Sequence, residues 1–200
     1  MIDRYKAIEA ILQRVGSNDL VLSTTGMISR EVFATGDRPG NFYMIGSMGL
    51  LSSFGLGLAL QFPEKRVYVL EGDGSALMSL GVLPLIAAEG PNNLVHIILD
   101  NEAYESTGAQ PSISSHVDLA EIGRSSGYTH VARVEDIDGL EGVLADCDAN
   151  PGPHLILVKV AIAPVKGIPR VSHPPTEIRD RFKTKVQAED KDQTFSDAKL

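Results

Sequence analysis

The stretch KRVYVLEGDGSALMSLG, residues 65–81, joins an unbroken apolar run to an acid held between two glycines and then to a second apolar segment. The run from Val67 to Leu70 does not alternate apolar with polar residues, as expected for a strand covered on both faces, and GDG is a turn signal. Beyond the turn, SALMSLGVLPLIAAEG reads as one helix that Pro84 should kink. The same strand, turn and helix order recurs. DLVLSTTG, NNLVHIILDN, THVARV and PHLILVKV read as further strands, and residues 3–15, 47–61, 117–126 and 136–147 as helices. A loop rich in Gly and Pro, GDRPGN, follows the first strand. Apolar strands alternating with helices predict an α/β fold: a doubly wound, mostly parallel sheet with helices on both faces.

In such sheets ligands gather beyond the carboxyl ends of the strands. STTG, EGDG and LDNEAYES each fall directly after a strand, so all three are expected along one edge. Two hundred residues suit one domain, expected over 1–187, followed by a polar, disordered tail at 188–200. Toward the end of that domain a proline-rich arm from Pro164 to Pro175 leads into an amphipathic helix, TEIRDRFKTKV.

A net charge of −8 with no basic tract argues against nucleic acid or an anionic membrane as partner. The single cysteine, Cys147, excludes an internal disulfide framework and a cysteine zinc site; it reads as a buried thiol in a reducing cytoplasm. The amphipathic N-terminus lacks the apolar core of a secretory signal. YMIGSMGLLSSFGLGLALQF, residues 43–62, is long enough to span a bilayer, but its four glycines and three serines make it only weakly apolar. Gly49, Ser53 and Gly57 recur in it every four residues, a stripe against which another helix can pack.

The chemistry concentrates in Gly72-Asp73-Gly74-Ser75 and Asn101, with residues 75–100 between GDG and the asparagine. A carboxylate and an amide oxygen, each at a strand end, suit a hard divalent ion such as magnesium that shares its remaining positions with phosphate oxygens. Gly72 and Gly74 allow close backbone approach, and a helix beginning at Ser75 favours an anion. Other uses compete: Asp73 as a helix cap, and Asp100 with Asn101 as ordinary turn formers.

GDG followed by twenty-six residues and Asn is the metal motif of thiamine diphosphate-dependent enzymes. Together with STTGMISREVF, NFYMIGSMGLLSSFGLGLAL and LDNEAYESTGAQ, it resembles the diphosphate-binding domain of the phosphonopyruvate and sulfopyruvate decarboxylase branch over most of residues 5–183. The resemblance implies magnesium held by the Asp73 and Asn101 side chains and the Ala103 carbonyl. It implies a diphosphate met by Gly74 and Ser75 through backbone N–H or hydroxyl, and by Gly26 and Met27 from the other side. It further implies that Met48 props the cofactor in its bent shape, while the Gly46 carbonyl accepts from the 4′-amino group. For Met48 alone, core filling is the competing use.

Enzymes of this family also carry a pyrimidine-binding domain whose glutamate activates the cofactor. This chain has room for the diphosphate domain only. A methionine followed at once by a helix is expected of a natural subunit, and the resemblance then implies a β-type subunit of a cytoplasmic hetero-oligomer, with active sites shared with an α-type partner. The implied reaction is decarboxylation of sulfopyruvate, a step of coenzyme M biosynthesis, or of phosphonopyruvate or another 2-oxo acid; carboligation is a further possibility. A non-catalytic module binding thiamine diphosphate or a magnesium nucleotide is the reading from another class.

Ser106, Thr107, Gln110 and Arg30 are candidates for an anionic 2-oxo acid substrate. The competing use of ESTGAQ is a solvated connection, and that of Arg30 a surface or interface salt bridge. His96 reads as a satisfied core residue, and His116, His130, His154 and His173 are scattered without metal-ligand spacing. Glu71 is expected to face solvent at its strand end, and Glu102 is undecided.

Overall fold

The computed structural model of the chain describes residues 1–162 and 167–188. The tail expected at 188–200 lies outside them except for Ala188, as does part of the proline-rich arm. In chain order the elements are β1 (Ile2–Asp3), α1 (Arg4–Arg14), β2 (Leu20–Ser23), α2 (Met27–Gly36), β3 (Asn41–Tyr43), α3 (Leu51–Gln61), β4 (Val67–Gly72), α4 (Asp73–Met78) and α5 (Val82–Glu89). There follow β5 (Leu94–Asp100), β6 (Ala103–Tyr104), β7 (Gln110–Pro111), α6 (Leu119–Ser126), β8 (His130–Val134), α7 (Ile137–Ala149), β9 (His154–Ala161) and α8 (Pro175–Gln187).

The main sheet runs β1-β9-β5-β4-β2-β3, with β8 also paired to β9, and every pair in it is parallel. Its central strands are mostly apolar because successive side chains enter different cores. Val21, Tyr68, Leu70, Val95, Ile97 and Val158 meet Ile8, Val32 and Leu140 of α1, α2 and α7. Leu22, Val67, Val69, Leu94, Ile98 and Leu157 meet Leu56, Ile86 and Leu119 of α3, α5 and α6. The doubly wound α/β expectation therefore holds. Cys147 is buried, as expected.

The crossover through α2 carries the chain from β2 outward to β3. The next, through α3, returns it past β2 to β4, so the sheet changes winding direction between β2 and β4. Parallel register sets Ser23 beside Leu70, Gly72 beside Leu99 and Asp100 beside Lys159. The turns after β2, β3, β4 and β5 consequently leave from one edge, around the point where ligands collect in this architecture.

Several expectations are corrected. The segment after STTG is not only a loop, since it holds α2 and β3. The helix expected from residue 47 begins at Leu51, because Ser47 (φ 56°) and Gly49 (φ 91°) take left-handed backbone angles that no helix accommodates. Its small-residue stripe does not form one packing face: Ser53 and Gly57 are exposed, Gly49 is buried in the turn before the helix against Met78 and Ser79, and the helix's own close approach is at Gly55, where a Cβ would strike Val69. The helix expected across 75–90 is two helices, broken at Ser79–Gly81; Pro84 sits in the first turn of α5, where a backbone N–H lacks an intrahelical partner. Among the described residues no helix is long and apolar enough to cross a membrane.

Candidate active site

At this sheet edge, Thr24, Met27, Met48, Asp73, Asn101 and Tyr104 line a common cleft, together with Ala103, Arg4 and Glu105. Asp73 is 1% exposed and opens α4, whose cap residue is Gly72 with no side-chain bond. The capping role for Asp73 is therefore excluded. Its carboxylate instead accepts from Ser112 and Ser114, the latter at 3.1 Å, both on Oδ2, which leaves Oδ1 clear of side-chain donors. Burial, with the Asp100 charge adding to it, raises the pKa of Asp73 against the two serine bonds.

Ser114 Oγ also lies 2.8 Å from Asp100 Oδ1, so its single proton is shared between the two carboxylates, and Lys159 Nζ meets Asp100 Oδ2 at 2.7 Å and Glu102 Oε1 at 2.6 Å. Lys159 and Asp100 are both buried. The ammonium keeps Asp100 from standing as an uncompensated second anion beside Asp73, and Glu102 is its outer partner. The lysine's pKa is raised because, although burial lowers it, the bonds to Asp100 and Glu102 outweigh burial.

Asn101 Oδ1 accepts from Ala103 N–H at 3.1 Å, and Asp100 Oδ1 from Glu102 N–H at 3.0 Å, so both residues do shape the turn. Asn101 Nδ2 donates to Glu105 Oε2 at 3.0 Å, which fixes the amide's orientation. Ala103 pairs with Pro111 in the β6–β7 hairpin. The adjacent ladder bond runs from Ser112 N–H to Glu102 O, and Pro111 has no N–H, so the Ala103 carbonyl is left for another partner. A carboxylate, an amide oxygen and an unclaimed carbonyl form a donor set that fits a hard divalent cation.

Met48 lines the cleft and is 38% exposed, which excludes simple core filling. Gly74 lies between it and Tyr104: a Cβ there would stand 3.2 Å from Met48 Cε and inside contact distance of the Tyr104 ring. Ser75 is fully buried, its Oγ donating to Glu71 Oε2 at 2.7 Å and accepting from Gly49 N–H at 3.2 Å. Its hydroxyl is therefore engaged, and only its N–H remains for a ligand. Glu71 does not face solvent as expected. It is 0% exposed, joined to Ser75 and to His96, because the first residues of α4 fold back over the end of β4. His96 is the satisfied core residue expected.

Gly26 adopts φ 90° as it leads into α2, and Met27 reaches the cleft. Gly46 is exposed in the turn between β3 and α3 that carries Met48. Ser106 and Thr107 line the cleft, whereas Gln110 turns back to bond Thr107. Arg30 lies apart, donating to the carbonyls of Ile168 and Pro169, so it ties down the C-terminal arm rather than forming an ion pair. Of the other histidines, His130 stacks on His154 and His173 bonds Asp37, and no metal-ligating cluster occurs among the described residues.

Sequence reasoning missed Ser112, Ser114, Lys159, Arg4 and Glu105. One signal existed: a lone lysine in PHLILVKV, a strand covered on both faces, must have an anion within reach. The serines carried none, since Ser-x-Ser in a polar loop is unremarkable.

Residues 24–158 match the family described as thiamine pyrophosphate enzyme, C-terminal TPP binding domain. The chain belongs to this thiamine pyrophosphate enzyme family. Within the family, it is 40% identical over 183 residues to phosphonopyruvate decarboxylase of Streptomyces viridochromogenes, covering 92% of this chain and 46% of the relative. It is 38% identical over 193 residues to sulfopyruvate decarboxylase subunit beta of Methanothermobacter thermautotrophicus, covering 96% of this chain and 100% of the relative. The chain thus spans about half the length of the first relative and the whole length of the second. An X-ray structure described as that of a thiamin diphosphate-dependent enzyme from Mycobacterium smegmatis superimposes with a TM-score of 0.69 at 20% identity, over 81% of this chain and 32% of that one, a likeness of fold.

Proposed function

We propose that this thiamine pyrophosphate family chain is the diphosphate- and magnesium-binding subunit of a 2-oxo acid decarboxylase, acting on sulfopyruvate with an α-type partner in the cytoplasm. The observation that carries the reading is the cleft corner where Asp73 Oδ1 is clear of side-chain donors, the Asn101 amide oxygen accepts from the Ala103 N–H at 3.1 Å with a lone pair to spare, and the Ala103 carbonyl has no ladder partner. Those three would hold the cation. Full-length coverage of a beta subunit supports the divided arrangement.

When bound, thiamine diphosphate supplies the carbon that adds to the 2-oxo group and accepts the electrons released with CO2. The chain's own part is placement. Backbone N–H groups of Gly74 and Ser75 would hold the diphosphate, with Gly26 and Met27 as its further contacts. Met48 would pack against the cofactor, and the Gly46 carbonyl would accept from its amino group. Ser106, at the cleft mouth, would donate to the substrate's anionic end, and Thr107 would do so on release from Gln110. The glutamate that activates the pyrimidine comes from the partner.

Phosphonopyruvate is the second substrate reading, favoured by the 40% identity to the Streptomyces enzyme. Mixing the chain with an α-type partner, thiamine diphosphate and magnesium, and following CO2 from sulfopyruvate, phosphonopyruvate and pyruvate, separates the readings. Release from sulfopyruvate only when both chains are present is expected. Bound cofactor with no turnover of any 2-oxo acid would identify a non-catalytic binding module instead.

A further inference from the structure

We propose that Glu105 is the outer-sphere partner of the cation in this cleft: it does not ligate the metal, but its Oε1 accepts a hydrogen bond from water in the cation's hydration shell, with Arg4 and Glu31 as its positioning residues. The inference rests on reading the cleft as a magnesium–diphosphate site.

Glu105 Oε1 is one of only two buried side-chain polar atoms among the described residues that have no partner; the other is Ser52 Oγ, on α3. A carboxylate oxygen stripped of water and left without a donor is costly, so an unmet Oε1 marks a place where a donor belongs. Rotation of the carboxylate cannot relieve it. The companion oxygen, Oε2, is fixed twice over, by Arg4 Nη1 and by Asn101 Nδ2.

Arg4 has no freedom to shift either. Its Nε and Nη2 form a fork with Glu31, each bond 2.7 Å, and the two side chains are 4% and 0% exposed. One guanidinium therefore serves two carboxylates. The excess negative charge lies in the wall of the cleft that Glu105 shares with Asn101, which favours a cation there.

Magnesium demands six oxygens in near-octahedral array and releases its water reluctantly. The chain offers three, from Asp73, Asn101 and Ala103, so water remains in the shell unless the diphosphate fills every other position. Such water is strongly polarised and needs an acceptor. Glu105 supplies one, and through Asn101 Nδ2 the same carboxylate orients the amide oxygen toward the metal.

Glu105→Gln isolates the acceptor role. Its one remaining oxygen can stay with Arg4 and Asn101, which puts the NH2 group where Oε1 stood and offers a donor in place of an acceptor. With the full chain and thiamine diphosphate, equilibrium dialysis of Mg2+ should show Glu105→Gln and Glu105→Ala weakened alike, by about 10-fold or more. Wild-type affinity in Glu105→Gln would overturn the inference, since the residue would then act only by holding Asn101.

Mn2+ in place of Mg2+ adds a spectroscopic readout. Broadening of the bound-Mn2+ resonance by 17O-water should report the same number of bound waters in wild type and Glu105→Gln. An extra water in the variant would mean that Glu105 had been a direct ligand, and would overturn the outer-sphere role. Asp73→Asn separates failure of the site from failure of the inference. If it binds Mg2+ like wild type, the site reading falls; if it loses the metal while Glu105→Gln does not, only the role of Glu105 falls.

Discussion

Glu71 Oε1 lies 2.6 Å from His96 Nε2, with neither side chain exposed. The carboxylate is the acceptor of the pair, so His96 Nε2 donates to it. His96 Nδ1 lies 3.0 Å from the Tyr128 hydroxyl, whose pKa is raised by burial with the Glu71 charge adding to it. Through its second oxygen Glu71 accepts from Ser75, which accepts in turn from Gly49 N–H. A line of hydrogen bonds thus runs from Tyr128, between α6 and β8, through His96 of β5 to the turn that presents Met48.

Removing one member leaves a buried carboxylate short of a donor. His96→Leu should therefore cost about 3 kcal/mol of stability, read as a lower urea midpoint with unchanged slope. Ser75→Ala should cost about 1 kcal/mol in the same measurement. An unchanged midpoint for His96→Leu would contradict the role given to this pair.

This line also marks the limit of what the sequence could convey. The parallel, doubly covered strands and the placement of Asp73 and Asn101 at strand ends were legible, because double burial writes itself as unbroken apolar runs and glycine-bracketed turns are local. Glu71 was misread because a strand-end glutamate is usually solvated, and only the fold-back of α4 covers it. The break at Ser79–Gly81 escaped notice because Pro84 looked the stronger interruption, although a proline in a first turn is harmless. Ser112 and Ser114 stand 39 and 41 positions from Asp73, a separation that no local pattern spans.

Those two serines make a second prediction. Because both donate to Oδ2 of Asp73, they determine which oxygen faces the cleft. Ser112→Ala combined with Ser114→Ala should leave the fold intact by circular dichroism but weaken Mg2+ binding by about 10-fold. Unaltered affinity in the double variant would show that α4 alone orients the carboxylate.

A third concerns acid. Asp37, at the end of α2, accepts from Tyr43 at 2.8 Å, His173 at 2.8 Å and Arg181 at 2.9 Å, which fastens the arm and α8 to the domain. Burial works to raise its pKa, but the bonds from His173, Arg181 and Tyr43 outweigh it, and the pKa falls below the ordinary 3.8. An acid lowered on folding contributes stability that is fully present above its unfolded pKa and is lost as pH falls through the folded one. Urea midpoints measured below pH 3.8 should accordingly drop faster in wild type than in Asp37→Asn. Parallel curves would remove Asp37 from the account of acid sensitivity.

The last prediction concerns Met48. Its side chain is held in the cleft by a turn with Ser47 at φ 56° and Gly49 at φ 91°, anchored by the Gly49 to Ser75 bond. It carries no oxygen and cannot hold the cation; what it can do is fill space against the bound cofactor, where a thioether's flexibility allows close fit. Met48→Ala should therefore lower turnover of the reconstituted enzyme far more than it weakens Mg2+ binding, and Met48→Leu, of similar volume, should restore most of the lost rate. If turnover and metal affinity fell together, the side chain would be supporting the metal turn through Gly74, its neighbour in the cleft, and not the shape of the cofactor.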